Sequence, residues 1–213
     1  MTLAVDWVAV SSIVTAAATL VLAIATFLSV RSANRAARAA ERSLLVGLRP
    51  LLAPSRLDDQ PQKVGFYDDR WFLVRGGGAI AEATDEAVYL AIALRNVGSG
   101  IAVLHGWHFY PELEPGMNDH APLDEFQRLT RDLYIAPGEA GFWQGSFRDP
   151  ATPAFAVARR AIEAPQRVAV DVLYGDHELG QRSITRFAIT PRNDGNWITS
   201  VSRHWNVDRP DPR

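Results

Sequence analysis

AVYLAIALRNVGSGIAVLHGWHFY, residues 87–110, is the stretch whose period separates a strand-built body from a helical one. Val88, Leu90, Ile92 and Leu94 alternate with Tyr89, Ala91, Ala93 and Arg95. A period of two sends the sets to opposite faces, so residues 87–95 read as a half-buried strand. Asn96-Val97-Gly98-Ser99-Gly100 carries turn chemistry, and Ile101, Val103, Trp107 and Phe109 then share a face over residues 101–110. Two runs joined by such a turn predict an antiparallel hairpin.

Outward toward the carboxy terminus, residues 167–174, 181–190 and 196–205 read as three more strands. They are joined by turns at 175–180 and 192–195 and predict a meander. Weaker strands are expected at 71–75, 133–135 and 141–147, short helices at 123–131 and 153–163, and flexible segments at 56–63 and 208–213. Many short strands joined by turns favour an antiparallel β-sandwich with one or two accessory helices over a parallel α/β fold.

Outward toward the amino terminus, WVAVSSIVTAAATLVLAIATFLSV (residues 7–30) holds no charged residue. At a rise of about 1.5 Å per residue it reaches roughly 36 Å, against a hydrocarbon core of about 30 Å, which predicts one transmembrane helix. A cleaved signal peptide is the rival reading. It is disfavoured because no basic region leads the run, and Arg31, Arg35, Arg38, Arg42 and Arg49 follow it. The positive-inside rule then puts the amino terminus outside and the body in the cytoplasm, which places the chain at the inner (cytoplasmic) membrane. On a helix Arg31, Arg35, Arg38 and Arg42 fall within about sixty degrees, a stripe that either contacts anionic lipid or only sets topology. Ser11, Thr15, Thr19 and Ala23 make a small-residue stripe within the span, compatible with homo-oligomers. The expected divisions are an anchor at 1–30, a basic helical collar at 31–49 and the body at 50–213.

Arg49-Pro50-Leu51-Leu52 after the helix and Arg95-Asn96-Val97-Gly98-Ser99-Gly100-Ile101-Ala102 at the strand-to-turn junction carry a resemblance. In layout the chain resembles uncharacterised bacterial single-pass membrane proteins with a cytoplasmic immunoglobulin-like sandwich. That resemblance implies no reaction and assigns no catalytic residue.

The chain has no cysteine, which removes disulfides, thiolate metal sites and cysteine nucleophiles. Lys63 is the only lysine, so Schiff-base chemistry and phosphate-loop lysines have nowhere else to reside. Net charge is −2, with the positive residues of the collar set against a mildly acidic body, and no basic face interleaved with aromatics suggests nucleic acid. His105 and His108 would lie on opposite strand faces unless a bulge intervenes. Asp176-His177-Glu178 with Asp119 or His120 is a weak ligand set that a solvated turn explains as well. Gly76-Gly77-Gly78 lacks the Lys-Ser or Lys-Thr of a phosphate loop and reads as a flexible loop. Glu112 with Glu114, and Asp124 with Glu125, are expected in solvent.

No cofactor or metal is expected. The leading expectation is a membrane-tethered interaction or scaffold module, its partners the bilayer and another protein. The surface expected to bind that protein comprises Asn96, Gly98 and Gly100 with Arg203, His204 and Trp205. A membrane-associated enzyme or metal-binding protein with a dispersed site, and a self-associating sensory protein, are the alternatives.

Overall fold

In the computed structural model, which describes residues 7–114, 116–164, 166–178 and 180–209, the apolar run and the arginines after it form one helix, α1 (Trp7–Gly47). Ala and Leu favour it, and no Pro or Gly intervenes before Gly47. Its segment Trp7–Glu41 is exposed, and it is long and apolar enough to cross a membrane. Hydroxyls within that segment bond back to the helix: Thr15 to the Ser11 carbonyl, Thr19 to the Thr15 carbonyl and Thr26 to the Leu22 carbonyl, each at 2.8 Å. Such back-bonding satisfies those groups without water. Arg31, Arg35 and Arg38 are exposed on this helix. Arg42 also lies in it, with its side chain outside the described residues.

From Gly47 on, the chain forms a separate unit, mainly β and antiparallel. In chain order it comprises β1 (Leu52–Pro54), β2 (Gln62–Gly65), β3 (Trp71–Val74), β4 (Gly78–Ala83), β5 (Val88–Asn96), β6 (Ala102–Tyr110) and β7 (Gln127–Ile135). Then come β8 (Ala140–Phe147), α2 (Pro153–Glu163), β9 (Val168–Gly175), β10 (Arg182–Pro191) and β11 (Trp197–Asn206). Strands β9, β10 and β11 form the expected meander, and α2 matches the expected helix. Thr152 caps α2 by accepting the Phe155 N–H, and Phe155, Ala158, Ala161 and Ile162 bury one face of it.

The expected hairpin of residues 87–110 is corrected. β5 pairs with β8 along one edge and with β4 and β1 along the other, whereas β6 pairs with β7 and β9. With both edges of β5 taken, the 96–100 turn carries the chain from one half of the sheet to the other. Inward side chains of both halves meet in one core: Val88, Leu90, Ile92 and Leu94 of β5 share it with Trp143, Trp107, Val170, Val172 and Phe187. Trp107 stands edge-on to Trp143 at 5.4 Å and to Phe147 at 5.2 Å, the favoured arrangement for aromatic pairs.

Strand β5 is also buried on both faces rather than half-buried. The β2–β3 hairpin packs over its outer side, where Ala91 and Ala93 let Val64, Phe66 and Val74 approach beside Tyr89. Residues 56–63 are not a loose segment at their start: the Asp59 carboxylate accepts the Arg56 N–H at 2.7 Å and Arg95 Nη1–H at 2.6 Å. Asp208 is likewise held by Arg182 at 2.7 Å, while residues 210–213 of the expected tail lie outside the described ones. The Gly76-Gly77-Gly78 run is a packed turn. A Cβ at Gly76 would run into the Arg56 carbonyl, and Gly77 has φ +66.

The helix expected at 123–131 is corrected to a single 3₁₀ turn, Leu123–Glu125, followed by β7. Pairing along β6 overrides helical composition here. The ladder steps from Leu104↔Leu133 to Gly106↔Arg128, so residues 129–132 bulge from β7 opposite His105. From that bulge Arg131 reaches across to Gln144 of β8 at 2.5 Å.

Candidate interaction surfaces

Asn96 is fully buried, and its side-chain bonds are internal. Its Nδ2 donates to the Gly100 carbonyl (2.6 Å) and the Ile135 carbonyl (3.0 Å), while Oδ1 accepts from the Leu51 and Gly98 amides (3.2 and 3.0 Å). A Cβ on Gly98 would meet Arg49 and Leu51 backbone, and one on Gly100 would meet the Leu48 carbonyl. The turn expected to face a partner therefore clamps the chain's own neck, residues 48–52. Arg49 extends the clamp to β11, donating to Asn206 Oδ1 and, at 3.2 Å, to His204 Nε2. Because a guanidinium only donates, His204 Nε2 accepts and its Nδ1–H donates to Thr185 Oγ1 at 3.0 Å. Thr185 adjoins the Tyr174 hydroxyl, which accepts the Leu52 N–H. Asn96 and His204, on separate strands, thus meet the same five-residue neck.

Trp205 and Arg203 have a different task. Trp205 is 7% exposed, packed with Leu173 and Ile184 on the outer face of the meander. Its Nε1–H donates to the Asn118 carbonyl, and Arg203 donates to Asn118 Oδ1. They seat residues 116–122 on the sheet, together with Arg186. Arg186 is 1% exposed, donates to both Asp171 oxygens at 2.7 and 2.8 Å, and donates to the Met117 and Asp119 carbonyls. Its guanidinium lies 4.3 Å from the Tyr110 ring centroid and 4.9 Å from that of Trp205. Burial alone would lower the Arg186 pKa, but the Asp171 hydrogen bonds and charge outweigh it, so the cation is held. An arginine alternating with apolar residues beside an aspartate between valines was the available signal.

The Tyr110 hydroxyl donates to Asp171 and accepts the Ala121 N–H at 2.9 Å. Burial first, then the Asp171 charge, raise its pKa from 10.0 to about 12. The neutral phenol is thus favoured by folding. Below pH 10 its contribution is intact, and as pH rises from 10 to about 12 the unfolded chain releases a proton that the folded chain keeps. Denaturant midpoints should fall across that window, with a Tyr110 share of about 2 kcal/mol. Tyr110→Phe should flatten the decline; an unchanged slope in the variant would reject this assignment.

The expected ligand sets do not converge. Among the described residues no three His, Asp or Glu side chains lie where they could hold a metal ion. His105 sits at the β6 register shift against Gly175, whereas His108 stacks near Tyr110 at 4.7 Å. Asp176 is buried and accepts the Glu178 and Gly180 amides in a tight turn, with His177 and Glu178 exposed; His120 faces Trp205. Glu112, Glu114, Asp124 and Glu125 are exposed.

A cleft of about 440 Å³ lies where the β2–β3 hairpin meets the outer face of β8, lined by Phe66, Tyr67, Trp71, Arg131, Gln144 and Arg148 among others. Tyr67 is 97% and Trp71 58% exposed. Gly65 lets the Trp71 ring lie close against the backbone, since a Cβ there would stand 2.7 Å from that ring. Lys63 Nζ lies 4.7 Å from the centroid of that ring. Arg131 stacks 5.5 Å from the Phe142 ring centroid. Asp68 binds Arg148 at 3.3 Å and accepts the Tyr89 hydroxyl; burial acts to raise its pKa, but these bonds outweigh it and hold the carboxyl below its ordinary range. Sequence reading missed this surface because Trp71 sits in a short strand and Arg131 in a segment with helical composition. No family model, curated protein or solved structure matches the chain.

Proposed function

We propose that the chain is a single-pass membrane protein whose body is a tethered interaction module, with the Trp71–Arg131 cleft as its binding surface. The observation that carries this reading is the cluster of exposed Tyr67 and Trp71 beside Arg131 and Gln144 in a formed cleft. Trp, Tyr and Arg are the residues that most often anchor protein interfaces, and large aromatics left in water on a folded body favour a partner that covers them. The surface expected around Asn96 and Trp205 is replaced in this proposal, because those side chains are spent on the neck and on the segment 116–122. Two sheet halves around one core support a sandwich of the immunoglobulin-like kind, and the arginines after the span support an amino terminus outside and a body in the cytoplasm, at a bacterial inner membrane.

The test places a photo-crosslinking amino acid at Tyr67 of the full chain in native membranes. A discrete crosslinked protein is expected, reduced about tenfold or more by Trp71→Ala, the loss typical of an aromatic anchor. Trp71→Ala should leave the melting temperature near its starting value, since the ring is mostly in water. A product indifferent to Trp71→Ala, or none, would reject the cleft. The chain's lack of cysteine makes a Tyr67→Cys variant a clean reporter of sidedness. It should react with an impermeant maleimide only after the cytoplasmic face is opened.

A further inference from the structure

We infer that the cleft's partner is an acidic peptide segment, with a carboxylate on Arg131 and Gln144 and a neighbouring aromatic side chain on Trp71 and Tyr67; this rests on the interaction-module reading above. Gln144 is 8% exposed, and its Oε1 is taken by the Arg131 guanidinium at 2.5 Å. That contact fixes the amide so that Nε2, a donor, is the atom left for a ligand, and among the described residues no protein acceptor meets it. Arg131 has a neutral partner in Gln144, an aromatic one in Phe142 and, among the described residues, no carboxylate. The floor of the cleft therefore offers donors where an acceptor is needed.

Charge bookkeeping points the same way. Arg148 is matched by Asp68 and Arg70 by Glu82 at 3.1 Å, whereas Arg131, the other cation lining the cleft, has no ion-pair partner among the described residues. One guanidinium beside a neutral amide suits a singly charged carboxylate. A dianionic phosphate draws on clustered cations, and the second arginine here is already paired. The aromatic walls argue for a peptide over a free small acid. Tyr67 and Trp71, both largely exposed, wall the cleft on its hairpin side and give apolar contact beside an anchored carboxylate.

Fluorescein-labelled Gly-Glu-Phe-Glu-Phe-Gly, its Gln-for-Glu counterpart and a phosphoserine version, titrated by anisotropy against the full chain in nanodiscs of zwitterionic lipid, test this. The acidic peptide should bind and weaken with salt, and the Gln version should bind at least about tenfold more weakly. Arg131→Gln should cost a similar factor at an unchanged melting temperature, with Arg131→Lys recovering part of it, because lysine restores charge without the fork. Equal binding of the Gln peptide, tighter binding of the phosphopeptide, unaltered affinity in Arg131→Gln or no binding at all would overturn the inference. Concentration-dependent dimers lost in Arg131→Gln would also overturn it, in favour of a second copy. Any of these could occur while Trp71→Ala still abolished the crosslinked product, so failure here is distinct from failure of the module reading.

Discussion

Arg186→Met is expected to destabilise the body by about 3–5 kcal/mol, the cost of leaving one member of a buried ion pair without its counterion. Asp171 is fully buried, and both its oxygens bind Arg186. The variant also strips donors from the Met117 and Asp119 carbonyls. The segment 116–122 should therefore become sensitive to protease before the sheet unfolds. Replacing both partners, Asp171→Leu with Arg186→Met, should recover much of the loss, since no unpaired charge is then left in the interior. Urea midpoints of the two single variants and the double decide it. A single-variant cost below about 1 kcal/mol would mean that water reaches Asp171.

Gly100→Ala should cost about 3 kcal/mol, the upper end for overpacking, because the added methyl has backbone in its way instead of a yielding side chain. It would run into the Leu48 carbonyl, and moving aside would disturb the Asn96 Nδ2 bond to the Gly100 carbonyl. Ser99→Ala is the control. That residue is exposed and holds Arg49 only through its backbone N–H, so a change within about 0.5 kcal/mol is expected. Amide exchange gives the spatial check: Leu52, bonded to the Tyr174 hydroxyl, and Val97, bonded to the Leu51 carbonyl, should lose protection first. Uniform loss across the meander would contradict a local clamp.

Period-two alternation made β5 and the meander legible because each strand's inward face is written in its own residues. Pairing was not, since β5 takes its neighbours from β1 and β8, and nothing in residues 87–110 names them. The β2–β3 hairpin covering Ala91 and Ala93 was hidden for the same reason: small residues on an outer face read equally well as solvent-facing or as room for a neighbour. The burial of Arg186 was not legible, because a charge opposite Phe187 and Ile189 carries no sign of the segment from elsewhere that covers it. In the 96–100 turn, Asn and Gly pointed to turn chemistry correctly. What they could not convey is that the close approach they permit is filled by the chain's own neck. Arg131 became visible only through the bulge that turns it toward Gln144.

The separation of β5 from β6 also orders events in time. The β9–β10–β11 meander closes through two short turns and can form as soon as its residues are available. β5 must gather β1 and β4 from before it and β8 from after it, and its apolar face waits for Trp107, Val170, Val172 and Phe187 of the other half to be synthesised and for longer loops to close. During that interval Val88, Leu90, Ile92 and Leu94 are an uncovered strand on a nascent chain. The slow step of folding, and the moment most open to aggregation or to a chaperone, should thus fall between emergence of β5 and docking of the β9–β10–β11 half.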